Sequence, residues 1–389
     1  MPPYSPERRT ALVLTGTGAH GAYHAGALRA LQETGVKIDV VAGHGIGAGG
    51  AALAAIDGAS RLWDPEGVWR GGGARSMYAQ RRYLRSGGGR RVRSRWWWRI
   101  AGAPLDARAA AERFADALWE LIRGAAPLAR PAGVALGRRF SEVLVENLGQ
   151  PGFRELILVA TDLDARRDMV AALLAEPHRH DFLAPRVGVD RRSEVFDLTG
   201  VGRDHALDMV AAGVTPPLVS DPYLLTFASD SFWRGETHRV CDRPGALQRL
   251  LEEVASAGVR QVVIVSGIAP SAAPHRLRAA CLDVRGQFGE FQTAAEAVAL
   301  RDAIEATRIY FESVYLVQPT HNAIGPYDLD GAYDEASDRR QRISELIERA
   351  YEDTYRQFIE PVVGASGERI ARRVEPLRSI GGSAARGGS

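Results

Sequence analysis

Two short apolar runs each end on a glycine-rich turn that opens into a run of small residues: "ALVLTGTGAHGAYHAGAL" from Ala11 and "VVAGHGIGAGGAALAA" from Val40. An apolar run this short, bounded by glycine and without alternation, is a strand buried on both faces. The glycines let the backbone turn tightly and let the following helix pack close to the strand ends. Two such strand–turn–helix units in succession commit the chain to a parallel sheet covered by helices. Further apolar runs at 155–160 (ELILVA), 262–266 (VVIVS) and 313–317 (SVYLV) predict more strands. Helical patterns at 22–34, 106–123, 245–258, 293–307 and 339–359 lie between them. The predicted class is α/β: a three-layer sandwich with a mostly parallel central sheet.

With 389 residues, 46% of them hydrophobic, the chain is long enough for a sizeable core. Residues 1–365 are read as a single domain and the Gly/Arg/Ser-rich stretch 366–389 as a disordered tail. Residues 67–105 break the pattern. They hold ten arginines, no Asp or Glu, and glycine triplets at 71–73 and 87–89, which predicts an insertion or lid. Within it Arg95, Trp96, Trp97, Trp98 and Arg99 suit an interface, since Arg attracts anionic headgroups and Trp favours the water–hydrocarbon boundary. The opening "SPERRTALVLTG" resembles a twin-arginine signal, but its apolar part is short and runs into the glycine turn. Two cysteines, Cys241 and Cys281, exclude a disulfide framework. No apolar run approaches the roughly 20 residues of a membrane span. The expectation is a cytoplasmic protein that associates with membranes peripherally.

The first glycine turn fits two chemistries. Gly16-x-Gly18-x-x-Gly21 after a strand has the form of a dinucleotide loop, and Asp39 lies near where an acid would hold a ribose. Yet the second strand continues through Val40-Val41-Ala42, which puts Asp39 before or inside it rather than at its carboxyl end. The second chemistry uses both turns. Gly43-His44-Gly45-Ile46-Gly47 has the shape of a nucleophile elbow, Gly-x-Ser-x-Gly, and the first turn would present backbone N–H groups to an oxyanion.

In order and spacing, "LVLTGTGAHGAYHAGALRAL" and "DVVAGHGIGAGGAALAA" resemble the two opening blocks of the patatin-like phospholipase family. "LVATDLDARRDMV" (158–170), "MVAAGVTPPLVSDPY" (209–223) and residues 319–359 resemble its later blocks. The resemblance implies a lipid acyl hydrolase fold with a Ser–Asp dyad. The nucleophile position then falls on Gly45, which has no side chain to form an acyl-enzyme. The acid position falls on Arg234 in "FWRGETHRVCDRP", with Asp230 nearby but lacking the glycine that the motif requires. The oxyanion loop becomes Gly16, Thr17, Gly18 and His20, with Thr17 in place of a glycine and His20 in place of the basic residue. Several departures at one site predict a degenerate, non-hydrolytic member that binds an acyl lipid or serves as a scaffold. The rival readings are an active acyl hydrolase with another nucleophile and a dinucleotide-binding protein.

His20, His24 and His44 cluster in the two turns. No acidic residue completes a metal-ligand spacing with them, so neither metal nor cofactor is expected. The expected partners are an acyl lipid or an anionic membrane surface, with a protein partner or homo-oligomer as alternatives. A net charge of +2 argues against nucleic acid.

Overall fold

The computed structural model describes residues 4–70, 154–184, 192–199, 205–217, 222–270, 284–334 and 336–364. Both glycine turns follow strands, as the apolar runs predict. β1 (Thr10–Thr15) leads to α1 (His20–Glu33), and β2 (Val40–Gly43) leads to α2 (Gly47–Ala55). The next elements are β3 (Glu155–Asp162), β4 (Arg167–Leu173), α3 (His178–Leu183), β5 (Arg192–Asp197) and α4 (His205–Gly213). A hairpin of β6 (Tyr223–Thr226) and β7 (Thr237–Cys241) precedes α5 (Ala246–Ser256), β8 (Gln261–Ser266) and α6 (Val284–Thr307). Then come β9 (Ser313–Val317), the small hairpin β10 (Ala332–Asp334) and β11 (Arg339–Gln341), and α7 (Ile343–Thr354), which runs on into a π-helical stretch, Tyr355–Gly364, that ends the described chain.

The main sheet runs β5-β4-β3-β2-β1-β8-β9, with the β6–β7 hairpin joined to β3. β3, β2, β1, β8 and β9 are parallel to one another, while β4 and β7 run antiparallel to β3. The fold is therefore α/β with a mixed, mostly parallel sheet. Along β1, Leu12 and Leu14 enter the core on one face, and Ala11 and Val13 the core on the other. This double burial is why the strand reads as unbroken apolar sequence. The first face is covered by α1, α2, α4 and α7, the second by α3, α5 and α6. Fully burying a leucine such as Leu12 or Leu14 contributes about 1.5–3 kcal/mol relative to exposure.

One sequence expectation needs correction. The helix predicted over 339–359 starts late, because Arg339–Gln341 pair with Ala332–Asp334 as a hairpin strand before α7 begins. Of the predicted insertion 67–105, only residues 67–70 are described. Val68 and Trp69 are buried, and the indole of Trp69 lies so close to Gly21 that no Cβ fits there. Residues 71–105, the helix predicted at 106–123, and residues 366–389 lie outside the described residues. No described helix is long and apolar enough to cross a membrane.

Candidate functional site

The two turns meet at the carboxyl ends of β1 and β2. Parallel pairing from Ala11↔Val40 to Leu14↔Gly43 brings the strands to a common edge. Gly45 then adopts φ +59°, the left-handed conformation of a tight strand-to-helix turn. Gly43 and Gly47 must both be glycine, since a Cβ at either would strike backbone. The 43–47 turn thus has the strand–turn–helix form of a nucleophile elbow.

What lies beside Gly45 follows from strand lengths. β3 runs past the end of β2: Gly43 pairs with Leu158, and β3 continues to Asp162. β7 takes that vacant edge from the opposite direction, pairing Cys241 with Thr161 and Val240 with Asp162. The residue after β7 is Asp242, so its carboxylate meets the elbow head-on. A Cβ on Gly45 would lie 2.9 Å from Asp242 Oδ2 and well inside contact distance of the Gly16 carbonyl oxygen.

The acid position is therefore corrected. Arg234 sits in the β6–β7 turn, exposed, with φ +49°, and its N–H donates to the Ser231 carbonyl. Asp230 belongs to the same exposed turn. The carboxylate at the elbow is Asp242, 2% exposed. The signal was present in "THRVCDRPG", a short alternating strand followed by an Asp-containing turn. It was missed because β7 is too short to stand out without its partner.

His44, between Gly43 and Gly45, connects two of these elements. Its Nδ1 is 3.1 Å from Asp242 Oδ1 and its Nε2 is 2.7 Å from Thr15 Oγ1. A carboxylate can only accept, so Nδ1–H donates to Asp242, and Nε2 accepts from the Thr15 hydroxyl. Hydroxyl, imidazole and carboxylate thus form a continuous chain, all of it buried.

A second polar group fills the first turn. The Thr17 hydroxyl donates to Glu296 Oε1 on α6, as does Gln292 Nε2 at 3.0 Å. The Thr17 N–H donates to His20 Nδ1 at 3.3 Å, which leaves the His20 proton on Nε2. His20 Nε2, His24 Nδ1 and Glu296 Oε2 are buried without partners. Burial, reinforced by neighbouring His24, lowers the His20 pKa to about 3. Burial also lowers that of His24 to about 4, even though its Nε2 donates to the Thr15 carbonyl. Glu296 is pushed up to about 7, chiefly by burial and further by Asp242, against the hydrogen bonds from Thr17 and Gln292.

Two backbone donors of the site are already taken. Ile46 N–H, beside the elbow position, donates to Gly16 O at 2.9 Å, and Ala19 N–H donates to Pro326 O at 2.8 Å. Pro326 O passes so close to Gly18 that no side chain fits there. A carboxylate from α6 also stands against the loop, where an oxyanion would need donors. Asp39 lies at the opposite end of the sheet: its carboxylate accepts from Thr10 N–H at 2.9 Å, at the amino end of β1. It cannot serve a ligand held at Gly16–Gly21, which removes the main support for the dinucleotide reading. Among the described residues no group of three or more His, Cys, Asp or Glu side chains is arranged to hold a metal. Arg95, Trp96, Trp97, Trp98 and Arg99 lie outside the described residues.

A glycine-rich turn and a strand–elbow–helix thus lie at the carboxyl edge of a mostly parallel sheet. Residues 12–182 match the family described as patatin-like phospholipase. Among solved structures it is similar to VipD from Legionella pneumophila, at 15% identity and a TM-score of 0.34, over 92% of this chain and 67% of that one. It is also similar to full-length ExoU of the type III secretion system of Pseudomonas aeruginosa, solved with SpcU, at 15% identity and a TM-score of 0.24. That match covers 78% of this chain and 53% of ExoU. A further structure of the type III effector ExoU matches at 19% identity and a TM-score of 0.23, over 79% of this chain and 54% of that one. The chain thus spans about two thirds of the first of these proteins and about half of the other two. No curated protein matches the sequence.

Proposed function

We propose that this patatin-like chain is non-hydrolytic and acts by binding, with an acyl lipid as its ligand class. One observation carries the reading: at the elbow, the space a nucleophile's side chain needs is held by the Gly16 carbonyl and the Asp242 carboxylate. An acyl-enzyme needs a hydroxyl there and free N–H groups facing it. Gly45 offers no hydroxyl, and the Ile46 and Ala19 amides are engaged by backbone carbonyls. The acyl-lipid ligand follows from the kinship of residues 12–182.

A second reading, an acyl hydrolase using a different nucleophile, draws on the Thr15–His44–Asp242 chain. Its distances of 2.7 and 3.1 Å are those of a hydroxyl activated through an imidazole. Against it stand the burial of Thr15 and the engaged amides.

A fluorophosphonate probe, which reacts only with activated hydroxyls, separates the two. The expected result is no labelling of the wild type or of Gly45→Ser, whose side chain has no room beside the Gly16 carbonyl, and no gain on adding Arg234→Asp, since Arg234 is not at the elbow. Stoichiometric labelling at Thr15 would establish the second reading and overturn the first. Native mass spectrometry after incubation with a fatty acid tests the ligand class, with a bound acyl chain as the expected result.

A further inference from the structure

Two hairpin turns leave the sheet side by side at the edge that holds the glycine turns. β3 ends at Asp162, and residues 163–166 turn back into β4. The β6–β7 hairpin runs beside this turn: Leu163 N–H donates to Arg239 O at 2.9 Å, and Arg239 pairs across the strands with Leu224.

The longer tip is closed by its own hydrogen bonds. Its backbone closes through Ser231 and Gly235 N–H onto Ala228 O, Arg234 N–H onto Ser231 O, and Glu236 N–H onto Trp233 O. A line of aromatic rings braces it from the core outward. Phe196 stacks on Phe227 at 6.1 Å, Phe227 meets Trp233 at 6.0 Å, and Trp233 meets Phe232 edge-on at 5.0 Å. At the end of this line the Phe232 ring stands 79% exposed. Leu224 and Leu163 are exposed on the same pair of turns, at 56% and 38%. Water is a costly neighbour for a protruding, braced aromatic ring, so a surface of this kind suits a partner.

The charges identify that partner. Arg166, Arg167 and Arg234 are exposed on the two tips and make no ion pair among the described residues. The acids nearby are largely engaged: Asp164 by Arg239, and Glu236 by His238 Nε2 at 3.3 Å. Asp230 is the remaining acid of the longer tip. Three guanidinium groups without an ion pair among the described residues, on the same pair of turns as a projecting Phe and two leucines, match an anionic, apolar-cored surface, with headgroups for the arginines and acyl chains for the ring.

We propose that the paired turns 163–167 and 228–235 dock the protein on an anionic lipid bilayer, with the glycine-turn edge of the sheet toward the membrane. This rests on the lipid-binding reading above, and assigns contact to residues other than the Arg/Trp segment at 95–99.

Co-sedimentation with ether-linked phosphatidylcholine vesicles, with and without the ether-linked phosphatidylserine, tests it without interference from ester cleavage. Wild type should bind the anionic vesicles, more weakly as salt rises, and leave the neutral ones. Combined Arg166→Ala, Arg167→Ala and Arg234→Ala should weaken anionic binding roughly fivefold per arginine, about a hundredfold in all. Phe232→Ser should weaken it roughly tenfold and leave only a fully salt-sensitive remainder, through loss of the inserted ring. Melting temperatures within a few degrees of wild type would show that these surface variants fold. Unchanged binding by the folded variants, equal recovery on neutral and anionic vesicles, or no vesicle binding at all would overturn the proposal. Capture of a protein through Phe232 without vesicle binding would overturn it too. A negative vesicle result together with a negative probe result removes the docking surface and leaves the non-hydrolytic reading standing.

Discussion

Two threonines, two residues apart at the end of β1, each belong to a buried trio with a histidine and an acid. In one, His44 lies between Thr15 and Asp242, so the hydroxyl and both ring nitrogens have partners. In the other, Thr17 bonds directly to Glu296, and His20 accepts instead from the Thr17 N–H. His20 Nδ1 then stands 3.8 Å from Glu296 Oε2, beyond hydrogen-bonding distance, and His20 Nε2 and Glu296 Oε2 are left without partners. The residue types are the same and the outcome differs, because the imidazole bridges in one trio and stands aside in the other. In the unsatisfied trio the pKa of His20 is lowered to about 3 and that of Glu296 is raised to about 7. Burial penalises charge, and no hydrogen bond to His20 Nε2 or Glu296 Oε2 offsets that penalty.

The satisfied trio breaks most severely at its neighbour Gly45. Gly45→Ala forces a Cβ against Gly16 O and beside Asp242 Oδ2 at a left-handed φ. Overlap and backbone strain together should cost about 2–4 kcal/mol, read as a lower urea midpoint. Unchanged stability would mean that the glycine loop yields easily and that the elbow can admit a side chain. Removing the acid comes next. Asp242→Ala leaves His44 Nδ1–H buried without an acceptor and should cost about 1–3 kcal/mol by the same measurement. A loss no larger than that of an exposed Asp→Ala exchange would show that His44 finds another partner.

The unsatisfied trio should respond more weakly and in the opposite direction. The folded pKa of Glu296 lies above its ordinary 4.5, so its contribution to stability is full below pH 4.5 and lost as the pH rises through about 7. Glu296→Gln holds the site neutral. It should match wild type near pH 4.5 and become the more stable of the two by pH 8, in chemical denaturation across that range. His20 and His24 work the other way. Their lowered values contribute stability above pH 6.5 that is lost as the pH falls, and both proteins share that term. A constant difference between the two proteins across the range would show that Glu296 is ionised throughout.

The parts legible in the sequence were those whose signal is local. The runs at 11–15 and 262–266 mark strands buried on both faces, where no alternation with polar residues is possible. The glycines of 43–47 mark the elbow, because only glycine fits that close to neighbouring backbone. The family resemblance rests on those same two blocks. β7 was illegible: five residues, alternating and partly exposed, acquire meaning only by completing the edge of β3 beyond β2. With β7 unseen, the acid position fell on Arg234 instead of Asp242. Glu296 was illegible for a related reason, since nothing local to a mid-helix glutamate indicates that it faces a loop 279 residues earlier in the chain.

The sequence by itself determined that a parallel sheet would end in two glycine turns, and that the elbow would carry no nucleophile. Both follow from what glycine lacks, a Cβ and a reactive group. Only the tertiary structure decided what stands at the elbow instead. The identity of the carboxylate, the direction of each imidazole and the occupation of the loop amides depend on strands and helices far apart in the chain arriving at one edge. Hydrogen bonds are directional over a few tenths of an ångström, and that arrangement is fixed by packing rather than by neighbours along the sequence.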